Sequence, residues 1–249
     1  MTEDTARADG SRWWSKAILI GAVIAAVLLL VGALGSRFGL WAFGTGFTML
    51  MAGSALAAIG LVTGIAGIIA AHARDLANDK PGVYLGTLVC LLIVALMGLQ
   101  YRTAVSVPPI HNISTDTDDP PQFDAVVALR GEGSNPLDYN AEELAPLQAG
   151  AYPWVQTLDS DLDPAAAVAR AEQVLQDMGL EVVNVDPTAG RVEATDTSFW
   201  FGFKDDLVVR VRPGAEGSVV DVRSVSRVGM SDLGKNAQRI GEFLERFGA

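Results

Sequence analysis

The sequence has only one cysteine and two histidines among its 249 residues. The cysteine, Cys90, lies inside an apolar run, so the chain can form no intramolecular disulfide and no cysteine-based metal site. A serine elbow, a glycine-rich phosphate loop, a zinc-type histidine pair and a dinucleotide fingerprint are also absent. We therefore predict no cofactor and no metal. His72 falls between apolar segments, which leaves His111 as the one candidate for histidine-dependent catalysis.

Charged residues are absent from three long stretches near the N-terminus. None occurs between Lys16 and Arg37, between Arg37 and Arg74, or between Lys80 and Arg102. The first stretch, as a helix, would span about 30 Å, the thickness of the hydrocarbon layer of a membrane. It is longer than the core of a cleaved signal peptide, and two more apolar segments follow it. We therefore predict a retained anchor of three transmembrane helices, at residues 13–34, within 40–71, and at 83–100.

Small residues recur along the second apolar segment at helical spacing, which places them on one face of a helix that another helix can approach closely. They are Gly46, Gly53, Ala57, Gly60, Gly64, Gly67 and Ala71. One interpretation is packing against the first and third segments of the same chain, and the alternative is contact between copies in a homo-oligomer. The spans contain no ionisable group except Cys90 and Tyr84, which favours an anchor over a transporter.

Basic residues near the ends of the spans predict the orientation in the membrane. Five lie on the side of the N-terminal tail and the 72–81 loop, and two lie on the other side: Arg7, Arg12, Lys16, Arg74 and Lys80 against Arg37 and Arg102. This bias places the tail, residues 1–12, in the cytoplasm. Because the number of spans is odd, the chain after residue 101 would then lie outside, in the periplasm of a bacterium.

The chain after Tyr101 is acidic, with 12 basic and 24 acidic residues and a net charge of −12. Such a charge repels phosphate backbones, so we predict no nucleic-acid partner and expect the lipid bilayer and an envelope protein instead. Residues 102–150 are rich in proline and aspartate and predict an extended lead-in to a soluble domain at 151–249.

Residues 151–249 alternate between strand and helix patterns. Asp163 followed by proline predicts a capped helix that ends near Gly179, and we place a first strand at 154–158 and a last helix from Ser231 onward. Between the helices, alternating apolar residues predict four strands joined by short turns. The predicted fold is therefore three transmembrane α-helices followed by an α+β domain, an antiparallel sheet of about five strands with two helices on one face.

Three long segments of this chain resemble one protein family. They are PPIHNISTDTDDPPQF (108–123), GRVEATDTSFWFGFKDD (190–206) and DVRSVSRVGMSDLGKNAQRI (221–240). All three are similar to the bacterial and plastid proteins grouped as "domain of unknown function 1499", and most closely to the proteobacterial branch with N-terminal membrane spans. The resemblance implies a bacterial envelope setting and brings no assigned activity or catalytic residues.

Two groups of residues are candidate sites. His111 with Asp116 and Asp118 could pair a base with an acid or bind a cation, and the alternative is a solvated linker. In the second group, polar side chains lie on the otherwise apolar faces of two strands, with Lys204 and several aromatic residues nearby in sequence, and if these strands pair the group could line a ligand pocket. Its members are Asp196, Ser198, Trp200, Lys204, Ser224 and Ser226. The alternative is buried polar groups satisfied by neighbouring backbone, with Arg223 and Arg227 in surface ion pairs on the other face.

These residues support two hypotheses about function. The first is a non-catalytic binding module, anchored in the bacterial inner membrane, whose domain contacts a protein, lipid or other component of the cell envelope. The second is a hydrolase or metal-assisted enzyme that uses His111 and the nearby aspartates. The missing catalytic motifs favour the first hypothesis and do not decide whether the protein is an enzyme.

Overall fold

A computed structural model describes residues 11–249, which divide into two compact units with a boundary after Arg102. Residues 1–10 of the predicted cytoplasmic tail lie outside the described residues. The first unit contains three helices, each long and apolar enough to cross a membrane. They are α1 Trp13–Arg37, α2 Phe43–Ala73 and α3 Lys80–Ser106. This agrees with the three apolar segments of the sequence, and it makes the chain compatible with a membrane protein.

The small residues of α2 pack against the other two helices of the same chain. Gly46 lies against Gly32 of α1, and Gly64 lies against Thr87 of α3. A Cβ built on Gly67 would stand 2.9 Å from the Ile18 side chain, so the glycine permits the close approach. The small-residue face of α2 is therefore occupied by helices of its own chain.

A buried carboxylate joins the first helix to the start of the third. Asp79, which is 3% exposed, accepts hydrogen bonds of 2.6 Å from the Ser15 hydroxyl and from the backbone N–H of Arg12. The N-terminal end of α1 and the 74–79 loop consequently lie together at one end of the three-helix unit. Two helices, α1 and α2, lie between these segments, so helices that each cross a membrane once would place both segments on the same side.

The second unit, Thr103–Ala249, is built on a six-stranded antiparallel sheet. The strand order is β1-β6-β5-β4-β3, and β2 also pairs with β6. The strands are β1 Asn112–Ser114, β2 Leu158–Ser160, β3 Glu181–Asp186, β4 Arg191–Thr197, β5 Lys204–Gly214 and β6 Gly217–Ser226. The helices are α4 Ala141–Ala151, α5 Pro164–Asp177 and α6 Lys235–Gly248, and a 3-10 turn covers Ala125–Leu129.

One face of the sheet packs on α5 and α6 and holds the apolar core. Val192, Leu207 and Val222 from three adjacent strands meet Leu175 of α5 and Phe243 of α6, and all five are fully buried. Each such side chain contributes about 1.5–3 kcal/mol by leaving water. The predicted α+β domain, with two helices on one sheet face, is confirmed.

Local signals place some element ends correctly and others not. Asp163 caps α5 as predicted, because its carboxylate accepts hydrogen bonds of 3.0 Å from the N–H groups of Ala165 and Ala166. The prediction of a strand at 154–158 is wrong, since β2 begins at Leu158. The last helix begins at Lys235 and not at Ser231, because Leu233 and Gly234 adopt a left-handed backbone that no α-helix continues.

Residues 115–140, which we call the covering segment, pass over the other face of the sheet. The segment donates backbone N–H groups to Glu193 of β4 and ends before α4. The sequence pattern predicts an extended lead-in over 102–150, but the structure includes residues 103–150 in the second unit, with β1 and α4 among them. The physical reason is that buried polar side chains on the sheet hold the covering segment, and these contacts are remote in sequence.

Candidate functional site

A polar cluster lies at the end of the helix-covered sheet face, where β4, β5 and β6 approach the start of α6. We call it the Arg239 cluster, and it consists of Asp196, Asp205, Ser224, Ser226, Asn236 and Arg239. Its position follows from strand register, because Asp196 is opposite Asp205 and Asp205 is opposite Ser226. Two carboxylates directly opposite each other repel, so this register needs a cation between them.

Arg239 supplies that cation. Its guanidinium donates to Asp196 at 2.5 and 3.1 Å and to Asp205 at 2.8 Å. It also donates to the Ser224 hydroxyl at 3.2 Å and to the side-chain oxygen of Asn236 at 2.6 Å. The Arg239 side chain is 9% exposed, whereas that of Asp196 is 37% exposed, so the cluster is open to solvent on the Asp196 side.

Asn236 connects this cluster to the entry of β1. Its amide donates to the Ser226 hydroxyl at 3.0 Å and to the backbone carbonyl of His111 at 2.9 Å. Nearby, burial raises the pKa of Asp232, and the Asp205 carboxylate raises it further. Hydrogen bonds from the N–H groups of Asn236 and Gly234 oppose this rise, and they let Asp232 hold the start of α6.

The loop 198–203 between β4 and β5 extends beside this cluster and carries four aromatic residues. It is closed by two hydrogen bonds, from Ser198 N–H to the Phe203 carbonyl at 2.8 Å and from Phe203 N–H to the Ser198 hydroxyl at 2.9 Å. Phe199 and Trp200 are 67% and 54% exposed and meet edge to face, with ring centroids 5.1 Å apart. A hydrogen-bonded loop thus holds two large apolar side chains in solvent, and the exposed Lys204 follows it.

The opposite sheet face carries buried ion pairs beneath the covering segment. Asp206 is fully buried and accepts from Arg130 at 2.5 Å, from Arg227 at 2.7 and 2.9 Å, and from the Thr195 hydroxyl at 2.8 Å. The carboxylate is therefore surrounded by donors on all sides. The expectation that Arg227 forms a surface ion pair is wrong, because its side chain is 12% exposed.

Arg223 is more deeply buried still, at 1% exposure. Its guanidinium lies over the rings of Phe123 and Tyr139, 5.4 and 5.7 Å from their centroids, and it donates to Asn112 and to backbone carbonyls of the covering segment. Burial lowers the pKa of Arg223 to about 10, and the nearby Tyr139 partly opposes this. The expectation of a surface ion pair for Arg223 is also wrong, because the covering segment encloses this side chain.

Asp116 lies in a second charge network on this face, with Asp221 and two arginines. Arg210 donates to Asp116 at 2.9 Å and to the fully buried Asp221 at 3.0 Å, and Arg212 donates to Asp221 at 2.7 Å. Burial alone would raise the pKa of Asp116. Hydrogen bonds from the N–H groups of the next turn, together with the charge of Arg210, outweigh this effect and lower the pKa.

The structure separates the residues of the first candidate site. The His111 ring lies 3.4 Å from the Met230 carbonyl, next to Ser226, whereas Asp116 contacts residues paired with Asp221. Ser226 and Asp221 are five positions apart on β6, which corresponds to about 17 Å along the strand. Asp118 is exposed, and its N–H closes a turn on the Asp116 carboxylate. Among residues 11–249, no three histidine, cysteine, aspartate or glutamate side chains group as a metal site.

The second candidate group divides in two. Asp196, Ser224 and Ser226 converge in the Arg239 cluster, while Ser198 and Trp200 belong to the aromatic loop and Lys204 is the exposed residue that follows it. Sequence reasoning missed Arg239 and Asn236, which hold this cluster together. They are three residues apart, which places them on one side of α6, next to Ile240 of the apolar stripe. A polar pair beside an apolar stripe is the sequence signal that could have identified them.

The fold and its polar sites define a class of protein: three membrane-span-length helices followed by an α+β unit whose two sheet faces both carry ion pairs. The chain belongs to the family described as "Protein of unknown function (DUF1499)", whose family model matches residues 112–247. The match begins at the first residue of β1 and so includes the covering segment. A comparison with curated proteins gives no match to this chain.

Proposed function

We propose that this protein is a bacterial inner-membrane protein whose second unit is a non-catalytic binding module of the cell envelope. The N-terminal tail lies in the cytoplasm, the three helices span the membrane, and residues 103–249 lie in the periplasm. The observation that carries the proposal is the aromatic loop 198–203. A soluble unit that exposes Phe199 and Trp200 together, on a loop closed by hydrogen bonds, presents a preformed apolar contact surface.

The state of the candidate polar residues supports a binding role over catalysis. In the Arg239 cluster, the Asp196 carboxylate and the Ser224 hydroxyl are already engaged by the guanidinium of Arg239. The Ser224 hydroxyl donates to the side-chain oxygen of Asn236 at 2.7 Å and not to a carboxylate, so it is not arranged as a nucleophile hydrogen-bonded to a general base. No observation favours a hydrolase based on His111 and Asp116, since about 17 Å separates them along the strands.

Site-specific photocrosslinking in intact cells tests the binding role. A photoreactive amino acid replaces Trp200 in one variant and Ala215, an exposed residue in the turn between β5 and β6, in the control. We expect an adduct with an envelope component at position 200 and none at position 215. Equal labelling at both positions, or none at position 200, would overturn the binding role of the loop.

A reporter that is active only in the periplasm, fused after Ala249, tests the orientation. We expect an active fusion, because five basic residues favour the cytoplasmic side for the tail and the 72–81 loop. A second fusion in the 72–81 loop should be inactive. The reverse pattern would place the second unit in the cytoplasm and contradict the proposed localisation.

A further inference from the structure

The aromatic loop lies at the end of the sheet where the chain enters the second unit. The backbone N–H of Arg227 donates to the carbonyl of Lys204, and that of Ser226 donates to the carbonyl of His111. The loop before Lys204 and the entry residue His111 are therefore at the same end of their strands. Three strand spacings separate β1 from β4, or about 14 Å.

The same end of the sheet carries a third exposed apolar side chain. Met230, which follows β6, is 83% exposed, and its carbonyl lies 3.4 Å from the His111 ring. The opposite end of the sheet has the turn of residues 215–216, where Ala215 and Glu216 are exposed. The large apolar side chains Phe199, Trp200 and Met230 are thus found at the end where the chain enters.

The connection between α3 and β1 is short, which limits the distance between that end of the sheet and the end of α3. Five residues separate Ser106, the last residue of α3, from Asn112, the first of β1. Six extended steps of at most about 3.5 Å reach no more than about 21 Å. β5 runs from Lys204 to Gly214, so the turn at 215–216 lies about 33 Å farther along the sheet than the aromatic loop.

The chemistry of the loop fits the interfacial region of a bilayer. Tryptophan, with its apolar rings and an N–H donor, is enriched at the level of the lipid headgroups, where phenylalanine can also bury its ring. The second unit as a whole is acidic and would be repelled by anionic lipids. At this end, however, Arg239 pairs with the carboxylates of Asp196 and Asp205, and Lys204 is exposed at the base of the loop.

We propose that the loop 198–203 inserts Phe199 and Trp200 into the interface of the same bilayer that holds the three helices. The aromatic loop then attaches the second unit to the membrane in addition to the covalent connection through residues 107–111. This inference rests on the proposed membrane anchoring and adds the occupant of the exposed aromatic surface.

Spin-label accessibility in the full chain tests the insertion. Cys90→Ala removes the one native thiol, and single cysteines then replace Trp200, Ala215 or Leu92, the last being an exposed residue near the middle of α3. Each variant is labelled with a nitroxide and reconstituted in nanodiscs of phosphatidylcholine and phosphatidylglycerol. Power saturation then compares collisions with oxygen, which concentrates in lipid, against those with a water-soluble nickel chelate.

We expect oxygen-to-nickel ratios at positions 92 and 200 that are several-fold higher than the ratio at position 215. A lipid-like ratio at 92 with a water-like ratio at 200 overturns the insertion and leaves the anchoring intact. A water-like ratio at 92 overturns the anchoring and the insertion together. A label at 200 that is shielded from both reagents indicates a protein partner or a second copy on the loop, and this also overturns the insertion. Phe199→Cys repeats the test at the adjacent residue.

Discussion

Replacing Asp206 with asparagine removes the charge at the centre of the most deeply buried ion-pair network. The carboxylate is fully buried, and the side chains of its partners Arg130 and Arg227 are only 6% and 12% exposed. Asp206→Asn preserves the size of the side chain but leaves two guanidinium groups in the interior without an anion. Removing one partner of a buried pair costs about 3–5 kcal/mol.

The expected shift follows from the size of the second unit. For a unit of this length, 1 kcal/mol corresponds to about 2–4 °C in the midpoint of thermal unfolding, so Asp206→Asn should lower the midpoint by about 6–20 °C. The assay is pulse proteolysis of the full chain in detergent micelles after incubation at increasing temperatures, following cleavage of residues 103–249. The control is Asp159→Asn, at an exposed position of β2, which should change stability by no more than about 0.5 kcal/mol.

A triple variant separates lost charge balance from lost packing. Asp206→Leu with Arg130→Met and Arg227→Met removes both signs of charge, and such exchanges are often tolerated because desolvation of the ions is avoided. Recovery should be partial, since the two arginines also donate to the carbonyls of Asn135 and Leu129. A loss below about 1 kcal/mol for Asp206→Asn, or a triple variant less stable than the single one, would refute the reasoning.

Three further perturbations have defined outcomes. Gly64→Ala should destabilise the three-helix unit by about 1–3 kcal/mol, because the added Cβ would stand 3.0 Å from the Cβ of Thr87. The control is Gly98→Ala in α3, where an added Cβ meets nothing within 4 Å. Unfolding by detergent titration measures both variants, and equal effects would contradict the prediction. Asp116→Asn should destabilise the second unit at pH 7 and lose this effect below about pH 4, because a carboxylate with a lowered pKa stabilises the fold only when it is ionised. A difference in stability that does not change with pH would exclude the charge of Asp116 as its cause. Arg239→Met should cost about 1.5–3 kcal/mol and speed hydrogen exchange at the Phe203 amide in the aromatic loop, and unchanged exchange would show that the cluster does not brace the loop.

The sequence by itself determined the elements that depend on contiguous residues. The charge-free stretches of α1, α2 and α3 identify the spans, because transfer into lipid is decided residue by residue along one segment. Asp163 and the proline after it predict the start of α5 for the same reason, since a helix cap is satisfied within three residues. The α+β fold follows from strand alternation and short connections, which are also local.

Only the tertiary structure decided which polar residues are buried. Arg223 lies in phase with outward-facing strand positions and is typical of a surface residue in a local pattern. Its hydrogen-bond partners are Asn112, Pro121 and Leu137, which are 111, 102 and 86 positions away, and they enclose it. The covering segment itself has no helix or strand period, so its place on the sheet is set by these long-range contacts.

The candidate site shows the same division. The sequence pattern placed Asp196, Ser224 and Ser226 in one strand phase, and the register of β4, β5 and β6 brings them to one end of the sheet. What joins them is Arg239, which follows them by 13 residues or more, and its position depends on how α6 packs on the sheet. Sequence periodicity predicts which face of a strand or helix a residue occupies. It does not predict which residue of another element will contact it, because that depends on how the elements pack.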